Sequence, residues 1–584
     1  MATPYSIQTG EAKTLGVSDF IVCGASLAFT LGIGLAFAIK SRKSQDPSEF
    51  LVAGRSMGVL PVTLSLVVTF ISALTLLGLP VETYTYSTMF WWLALGMLIA
   101  VAGSAHIFNP VLHNLGITSA YEYMELRFGA TVRLIVSFCW LFQTLFYLGS
   151  VLYAPSLALK TFSGLDMWVS ILSVGCLVTL YTSVGGMKAV LWTDSFQAVI
   201  ILVGLLSVVI QGSVVVGGFG RAWEIANEHS RIDFQDFSVD PRTRLTFWSV
   251  AVGGGTTWMA YYSVNQCQIQ RVFACPSLKK AQAAMWLNGL GLAVVVSLCC
   301  MIGVLLFAFY EECDPLQFNL VDGKDELVPL FVMDILGHLP GLPGIFLSCV
   351  FSGCLSTLSS GINALSGVLL QDFIRPHCAR NISSITATVI TKVSAAVCGF
   401  GCIGLAFLAG NYGNMLQLSY MVMSVFDGPV FGIFILGMFF PRANKWGAVC
   451  GYMASLAFTT WISVGAYVNR VTGPTLHLSV HGCNWNATNF TMPTTTLPHE
   501  ASPEGDDTYL SIYRLSFLYY TLSGAIVNVI VGVVVSLITG YWHPVSTDPE
   551  LITPIVNYLF QCRPKKHDNT ATGTEIQGTS TELV

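Results

Sequence analysis

Apolar runs of about 20 residues, long enough to carry a helix across a bilayer, recur along this sequence from residue 17 to residue 539. Read at that length they predict about thirteen spans. These lie near 17–40, 58–79, 85–109, 131–157, 167–187, 188–214, 247–266, 281–310, 343–370, 386–408, 414–439, 445–467 and 511–539. Several are too long for barrel strands, which cross in about 9–11 residues. The expectation is an all-α polytopic membrane protein. Composition points the same way: of 584 residues, 53% are hydrophobic and 10% charged, and mean hydropathy is +0.66. Soluble domains carry about 25% charged residues. The net charge of −5 gives no reason to expect nucleic acid as a partner. The 16 cysteines do not cluster, and there is no paired CxxC set or HExxH motif. No acid, base or metal constellation supports a membrane-embedded enzyme. Residues 1–18 are polar, and no cleavable leader is expected before the first span.

Orientation follows from basic residues in short loops. Lys40, Arg42, Lys43 and Arg55 follow the first span. Arg127 with Arg133, Arg271 with Lys279 and Lys280, Arg375 with Arg380, and Arg442 with Lys445 occupy alternate loops, and the tail holds Arg563, Lys565 and Lys566. These loops and the tail, 541–584, are expected in the cytoplasm, with the N-terminus outside. Arg221, Arg231, Arg242 and Arg244 break the pattern in a longer, mixed-charge loop, where the rule is weaker. The longest hydrophilic loop, 468–510, is then extracellular and carries sequons at Asn486 and Asn489, both expected to be glycosylated. Asn381 falls inside and is expected to stay unmodified. Cys313 and Cys483 are the cysteines placed outside. Oxidising surroundings favour a disulfide between them; the alternative is two separate thiols.

Within the spans, polar residues and helix breakers are the informative positions. The second span gathers Thr69, Ser72 and Thr75 before Gly78 and Pro80, a spacing that keeps the hydroxyls near one face. An unwound turn there would offer carbonyls to a hard cation such as sodium. Alternatively, the hydroxyls bond back to their own helix. The ninth span reads Phe351-Ser352-Gly353-Cys354-Leu355-Ser356-Thr357-Leu358-Ser359-Ser360-Gly361-Ile362-Asn363. It is too polar for a lipid-facing helix, and it offers either close packing or neutral oxygens for a monovalent cation. The seventh span opens on Gly253-Gly254-Gly255, where a break is expected, and ends on the amides Asn265, Gln266 and Gln268. Trp258, Tyr261 and Tyr262 could enclose a solute between these ends, or serve in packing.

These residues resemble the sodium/solute symporter family that includes the sodium–glucose cotransporters, and within it the branch of sodium-coupled monocarboxylate, multivitamin and iodide transporters. The likeness runs from the first span to the last. It is carried by Gly116-Ile117-Thr118-Ser119-Ala120-Tyr121-Glu122-Tyr123 before Leu126-Arg127-Phe128, by Tyr153-Ala154-Pro155-Ser156-Leu157-Ala158-Leu159, and by Gly185-Gly186-Met187-Lys188-Ala189-Val190 before Trp192-Thr193-Asp194. Val264-Asn265-Gln266 and Pro340-Gly341-Leu342-Pro343-Gly344 complete the set. The resemblance implies one transmembrane domain, 1–540, built on an inverted repeat of five plus five helices with broken first helices. The repeats would be about 58–214 and 247–439. It implies a sodium site made by the carbonyls of Val68, Ile71 and Gly353 and the hydroxyls of Ser356 and Thr357, with Asp194 in support. The substrate would touch Thr69, Phe70, Ser72, Thr75, Tyr147, Trp258, Tyr262, Leu416 and Tyr420.

The family's second span usually continues to a Tyr-Arg pair, absent from Pro80-Val81-Glu82-Thr83-Tyr84-Thr85, and Ser263 replaces a usual glycine. Thr75 is similar to the monocarboxylate members, whereas Thr69-Phe70 and Ala105-His106-Ile107-Phe108 are similar to the multivitamin member. The expected function is sodium-coupled import of a small organic anion across the plasma membrane by alternating access. The anion is expected to be a monocarboxylate such as lactate, pyruvate, a short-chain fatty acid or nicotinate, with biotin or pantothenate next and iodide third. A non-transporting sensor or scaffold is the reading from a different class. Sodium is the coupling ion, lipid the surroundings, and no organic cofactor is expected. Asp427 stands in an apolar stretch before Gly428-Pro429, where relatives usually have a small neutral residue. Three readings stay open for it: capping that break from a wet inner vestibule, being protonated and hydrogen-bonded, or influencing ion release.

Overall fold

The computed structural model describes residues 14–41, 47–163, 166–318, 320–321, 323–377, 382–409, 415–469, 471, 475–483, 511–540 and 547–559. After α1 (Val17–Ser41), the second expected span is two helices, α2 (Val59–Thr69) and α3 (Ala73–Thr85), bent by 60°. Local chemistry makes the break. Ser72 is extended (φ −77°, ψ 169°) and its hydroxyl accepts from the Thr75 amide at 3.4 Å, capping α3. The Thr75 hydroxyl donates to the Phe70 carbonyl at 3.3 Å. Here the hydroxyls bond their own backbone, at the point where the helix ladder is interrupted.

The next long elements are α4 (Leu93–Gly103), α5 (Ala130–Ser163) and α6 (Met167–Val216). The last runs 50 residues and holds two expected spans, divided at Gly186. Gly186 takes φ 64°, ψ −166°, a backbone open mainly to glycine. A Cβ there would also lie 2.7 Å from the Phe50 ring. The seventh expected span is a π-helical turn, Trp248–Gly254, then α7 (Gly255–Val264) and α8 (Gln266–Phe273).

The break in the seventh span is not at the glycine run. Gly253–Gly255 continue as helix because they are packing contacts: a Cβ on Gly255 would come 3.1 Å from Gly96 of α4, and one on Gly253 would come 2.8 Å from the Leu518 carbonyl. The chain turns instead at Asn265 (φ −77°, ψ 125°), whose side chain accepts from the Cys267 amide at 3.0 Å and caps α8.

The remaining helices are α9 (Leu278–Phe309), α10 (Leu342–Val368), α11 (Ser384–Ala409), α12 (Met415–Phe439), α13 (Lys445–Val468) and α14 (Tyr520–Gly540). Every regular element among the described residues is helical. Ten helices are long and apolar enough to cross a membrane, and the bent α2–α3 pair makes an eleventh. The expected count of thirteen differs for two local reasons: two spans run together in α6, and the seventh is cut into pieces shorter than a span. The most apolar window of α10 is 94% buried inside the protein, against 17% for α1. So α10 is the axis, packed on α1, α5, α6 and α11, and its serines face protein instead of lipid. The Pro340–Gly344 motif ties it to α1, since Asp19 Oδ1 accepts from the amides of Gly341 at 2.9 Å and Gly344 at 3.2 Å.

Cys313 is bonded to Cys483, with Cα atoms 5.0 Å apart across a sequence separation of 170. Asn486 and Asn489 lie outside the described residues. Replacing Cys313 with serine should cost about 2–4 kcal/mol of stability. Thermal unfolding of the purified protein should show this loss, and added reductant should reproduce it in the parent and change nothing further in the variant.

Candidate functional site

The α2 break leaves carbonyls at the C-terminal end of α2 without helical partners, and α10 meets them there. Ser356 donates its hydroxyl to the Val68 carbonyl at 2.9 Å and to its own helix at Gly353 O, 3.1 Å. Thr357 donates to the Thr69 carbonyl at 2.9 Å and to Gly353 O at 3.0 Å. A Cβ on Gly353 would lie 2.9 Å from the Ile71 carbonyl oxygen, so only glycine lets α10 approach the break this closely. All five expected oxygen sources, Val68, Ile71, Gly353, Ser356 and Thr357, therefore meet at one place. The Thr69 carbonyl joins them, and nothing in its residue type marks it in the sequence. These neutral oxygens are buried, and a monovalent cation of fitting size would replace the two cross-helix hydrogen bonds while holding the same atoms together.

One helical turn away the hydroxyls give way to charge. Asp194 of α6 pairs with Arg271 of α8, Oδ2 to Nη2 at 3.1 Å, and both side chains are fully buried. Arg271 also donates to the Ser65 hydroxyl at 2.7 Å, to the Cys267 carbonyl and to the Ser360 hydroxyl, while Ser65 donates to Asp194. Arg271 is thus not the cytoplasmic loop cation that the charge pattern suggested. Because α8 folds back into the protein, its last turn brings the guanidinium under this oxygen cluster. Asp194 acts through Ser65 and Arg271, which link α2, α6, α8 and α10. Its remaining oxygen, Oδ1, has no hydrogen-bond partner.

A narrow cavity of about 10 Å³, room for about one water, lies beside these oxygens. Thr69, Phe70 and Tyr147, three of the expected substrate residues, line it, and Thr357 faces both the cavity and the oxygen cluster. Thr144, Asn265, Cys267 and Met423 complete the wall with Leu148 and Gly361. Sequence reading passed over most of these. Thr144 could have been found one turn before Tyr147, and Asn265 stood in a quoted motif. No side chain in this wall is charged. Ser72 and Thr75 do not line the cavity, because the break consumes their hydroxyls. Trp258 and Tyr262 do not line it either; they stand behind it. Trp258 meets Phe70 edge-on at 6.4 Å and stacks on Tyr262 at 6.0 Å, and the Tyr262 hydroxyl donates to Asn288 at 3.2 Å. Leu416 and Tyr420 belong to α12, but their side chains lie outside the described residues.

Asp427 is 4% exposed and accepts from Gln143 Nε2 at 2.9 Å. It does not open onto a vestibule in this conformation, so solvated capping of the Gly428–Pro429 step does not describe it.

The model of the "Sodium:solute symporter family" matches residues 50–455. The human sodium/iodide cotransporter is 39% identical over 551 residues, covering 92% of this chain and 85% of the relative. Human sodium-coupled monocarboxylate transporter 2 is 39% identical over 561 residues, covering 95% and 89%. A solved structure of a Na+-coupled sialic acid symporter superposes with a TM-score of 0.73 at 22% identity, covering 90% of this chain and 98% of the other; at that identity the likeness establishes the shared fold.

The buried ion pair generates a stability test. Arg271→Met strands the Asp194 carboxylate and should cost about 3–5 kcal/mol. Adding Asp194→Asn should restore most of the loss, read as the thermal unfolding of the two variants against the parent.

Proposed function

The chain belongs to the sodium:solute symporter family, and we propose that it imports a small organic anion, a monocarboxylate, together with sodium across the plasma membrane. The observation that carries this reading is the sharing of Thr357 between the oxygen cluster at the α2 break and the wall of an uncharged cavity. A carboxylate admitted when that cavity widens finds no cationic side chain in its wall. A sodium ion on the adjacent oxygens supplies the missing charge. Each ligand then stabilises the other through Coulomb attraction in a site of low dielectric, and neither binds well alone. Coupling follows from that mutual dependence, and no covalent step is involved.

Sodium bound between α2 and α10 also holds the broken helix against the axis of the protein, favouring the arrangement in which the outer path is open to substrate. Its release on the inside frees the carbonyls of the break and lets the core relax. The membrane potential contributes about 2.3 kcal/mol per 100 mV for each net charge carried inward. In this reading the N-terminus and the Cys313–Cys483 bridge are extracellular, Asn486 and Asn489 carry glycans, and the tail is cytoplasmic. Iodide is the second reading, favoured by 39% identity to the iodide relative, equal to that of the monocarboxylate one. The same uncharged wall and adjacent sodium would serve either anion.

Uptake of labelled lactate, nicotinate, biotin and iodide by cells expressing the chain, with sodium present or replaced by choline, separates these readings. Sodium-dependent accumulation of lactate or nicotinate is expected. Equal uptake of all four without sodium would overturn the proposal. Thr357→Ala removes one neutral ligand of the ion, a loss of about 1–1.5 kcal/mol. The sodium concentration for half-maximal uptake should therefore rise roughly tenfold, with surface expression unchanged.

A further inference from the structure

Asp427 is a carboxylate enclosed at bilayer depth without a counter-charge. It sits on α12, which packs against α5, α7, α13 and α14. Lys160, near the far end of α5, is exposed, and other basic side chains on or beside these elements are engaged elsewhere. Arg133 of α5 pairs with Asp372 and Glu125, Arg271 of α8 pairs with Asp194, and Lys445 of α13 bonds Thr131. An isolated charge in such a place is costly unless something neutralises it.

The polar atoms around it define what that something is. Gln143 of α5, fully buried, gives its amide N–H to Asp427 Oδ1, and the Tyr261 hydroxyl of α7 also bonds the carboxylate. Three oxygens are then left without a hydrogen-bond partner: Asp427 Oδ2, Gln143 Oε1 and the hydroxyl of Tyr121. Tyr121 is fully buried and within electrostatic reach of Asp427. Trp140, packed on Tyr121 at 5.6 Å, has an unpartnered indole N–H, which is a donor and cannot be a cation ligand. A proton could fill one of these acceptors. A small monovalent cation can serve several at once and cancel the charge. No group of three or more His, Cys, Asp or Glu side chains forms there among the described residues, and Asp372, the other acidic group within reach of Tyr121, is paired with Arg133; the set offers hard oxygens and one uncompensated negative charge, which suits sodium over a divalent or transition metal.

We propose that Asp427, Gln143, Tyr261 and Tyr121 form a second sodium site, distinct from the one at the α2 break. The choice of ion rests on the sodium-coupled reading above. The site is wired to the cavity by geometry. The Tyr261 ring lies parallel to Phe70, 4.6 Å between centroids and 4° between planes, and Phe70 lines the cavity. Met423, one turn before Asp427 on α12, lines it too. An ion on the carboxylate side fixes the Tyr261 hydroxyl, and through the stacked pair it fixes the wall that the substrate meets. Asp427 thereby acts as a positioning residue for the substrate while binding its own ion.

Binding of radiolabelled sodium to the purified full-length protein tests this. The parent should take up two equivalents at saturation and Asp427→Asn one, and Thr357→Ala should lower the affinity of that remaining equivalent roughly tenfold. Tyr261→Phe keeps the ring on Phe70 and removes the hydroxyl; it should weaken one of the two sites roughly tenfold. Thermal unfolding checks the fold: without sodium, Asp427→Asn should be at least as stable as the parent because the buried charge is gone, and sodium should stabilise it less than it stabilises the parent. If Asp427→Asn binds as much sodium as the parent with the same affinity, the proposal falls. A changed pH profile of uptake in that variant would then assign the carboxylate to a proton. If Thr357→Ala leaves both sodium affinities unchanged while Asp427→Asn loses one equivalent, the site at the helix break fails and this one stands.

Discussion

Inside a bilayer a backbone carbonyl that loses its helical partner has no water to turn to. The break between α2 and α3 creates such carbonyls at mid-span, and much of the structure serves to satisfy them. Ser72 and Thr75 cap the far side of the break. Ser356 and Thr357 reach across from α10 to the near side. Gly353 allows that reach, because any side chain there would collide with the Ile71 carbonyl. The same atoms that repair the break in this conformation are those a sodium ion would take over. In the proposed reading a helix defect and an ion site are one feature, held by hydrogen bonds that a cation can replace.

Such an arrangement needs a rigid axis that is polar without touching lipid. α10 meets both demands because protein surrounds it. Its hydroxyls and small residues let α2, α5 and α6 approach closely, and its serines supply partners to each. Ser360 extends the network one turn further to Arg271, which faces Asp194. The buried pair ties α8, the second half of the other broken element, to α2 and α10. The two breaks are thus joined through charge on one side of the oxygen cluster and through the cavity on the other, which places substrate, ion and both hinges within one contiguous network.

The aromatic residues divide between the wall and its support. Phe70 and Tyr147 meet the cavity, while Trp258 and Tyr262 brace them from behind. Tyr261 does both jobs, stacking on Phe70 and bonding Asp427. An uncharged wall backed by a carboxylate without a counter-charge would, in the proposed reading, leave mobile ions to balance the charge of an anionic solute.

The sequence by itself determined the class of fold and singled out the oxygens that meet at the helix break. Span-length apolar runs leave few alternatives to a helical bundle, and hydroxyls with glycines inside such runs have few uses. Gly353, Ser356 and Thr357 could therefore be singled out before any coordinates. Only the tertiary structure decided which neighbours those residues meet. Arg271 reads as a loop cation along the chain, and its burial depends on α8 turning inward after Asn265. The glycine run at 253–255 reads as a hinge, yet it stays helical because Gly96 and Leu518 press against it. Thr144 and Met423 carry no local mark of their place in the cavity, since lining is a relation among helices far apart in the chain. Asp427 was conspicuous in sequence, but its enclosure with Gln143, Tyr261 and Tyr121 arises from elements separated by more than a hundred residues. Periodicity and length are local and survive in one dimension; burial, pairing and solvent access are set by packing and do not.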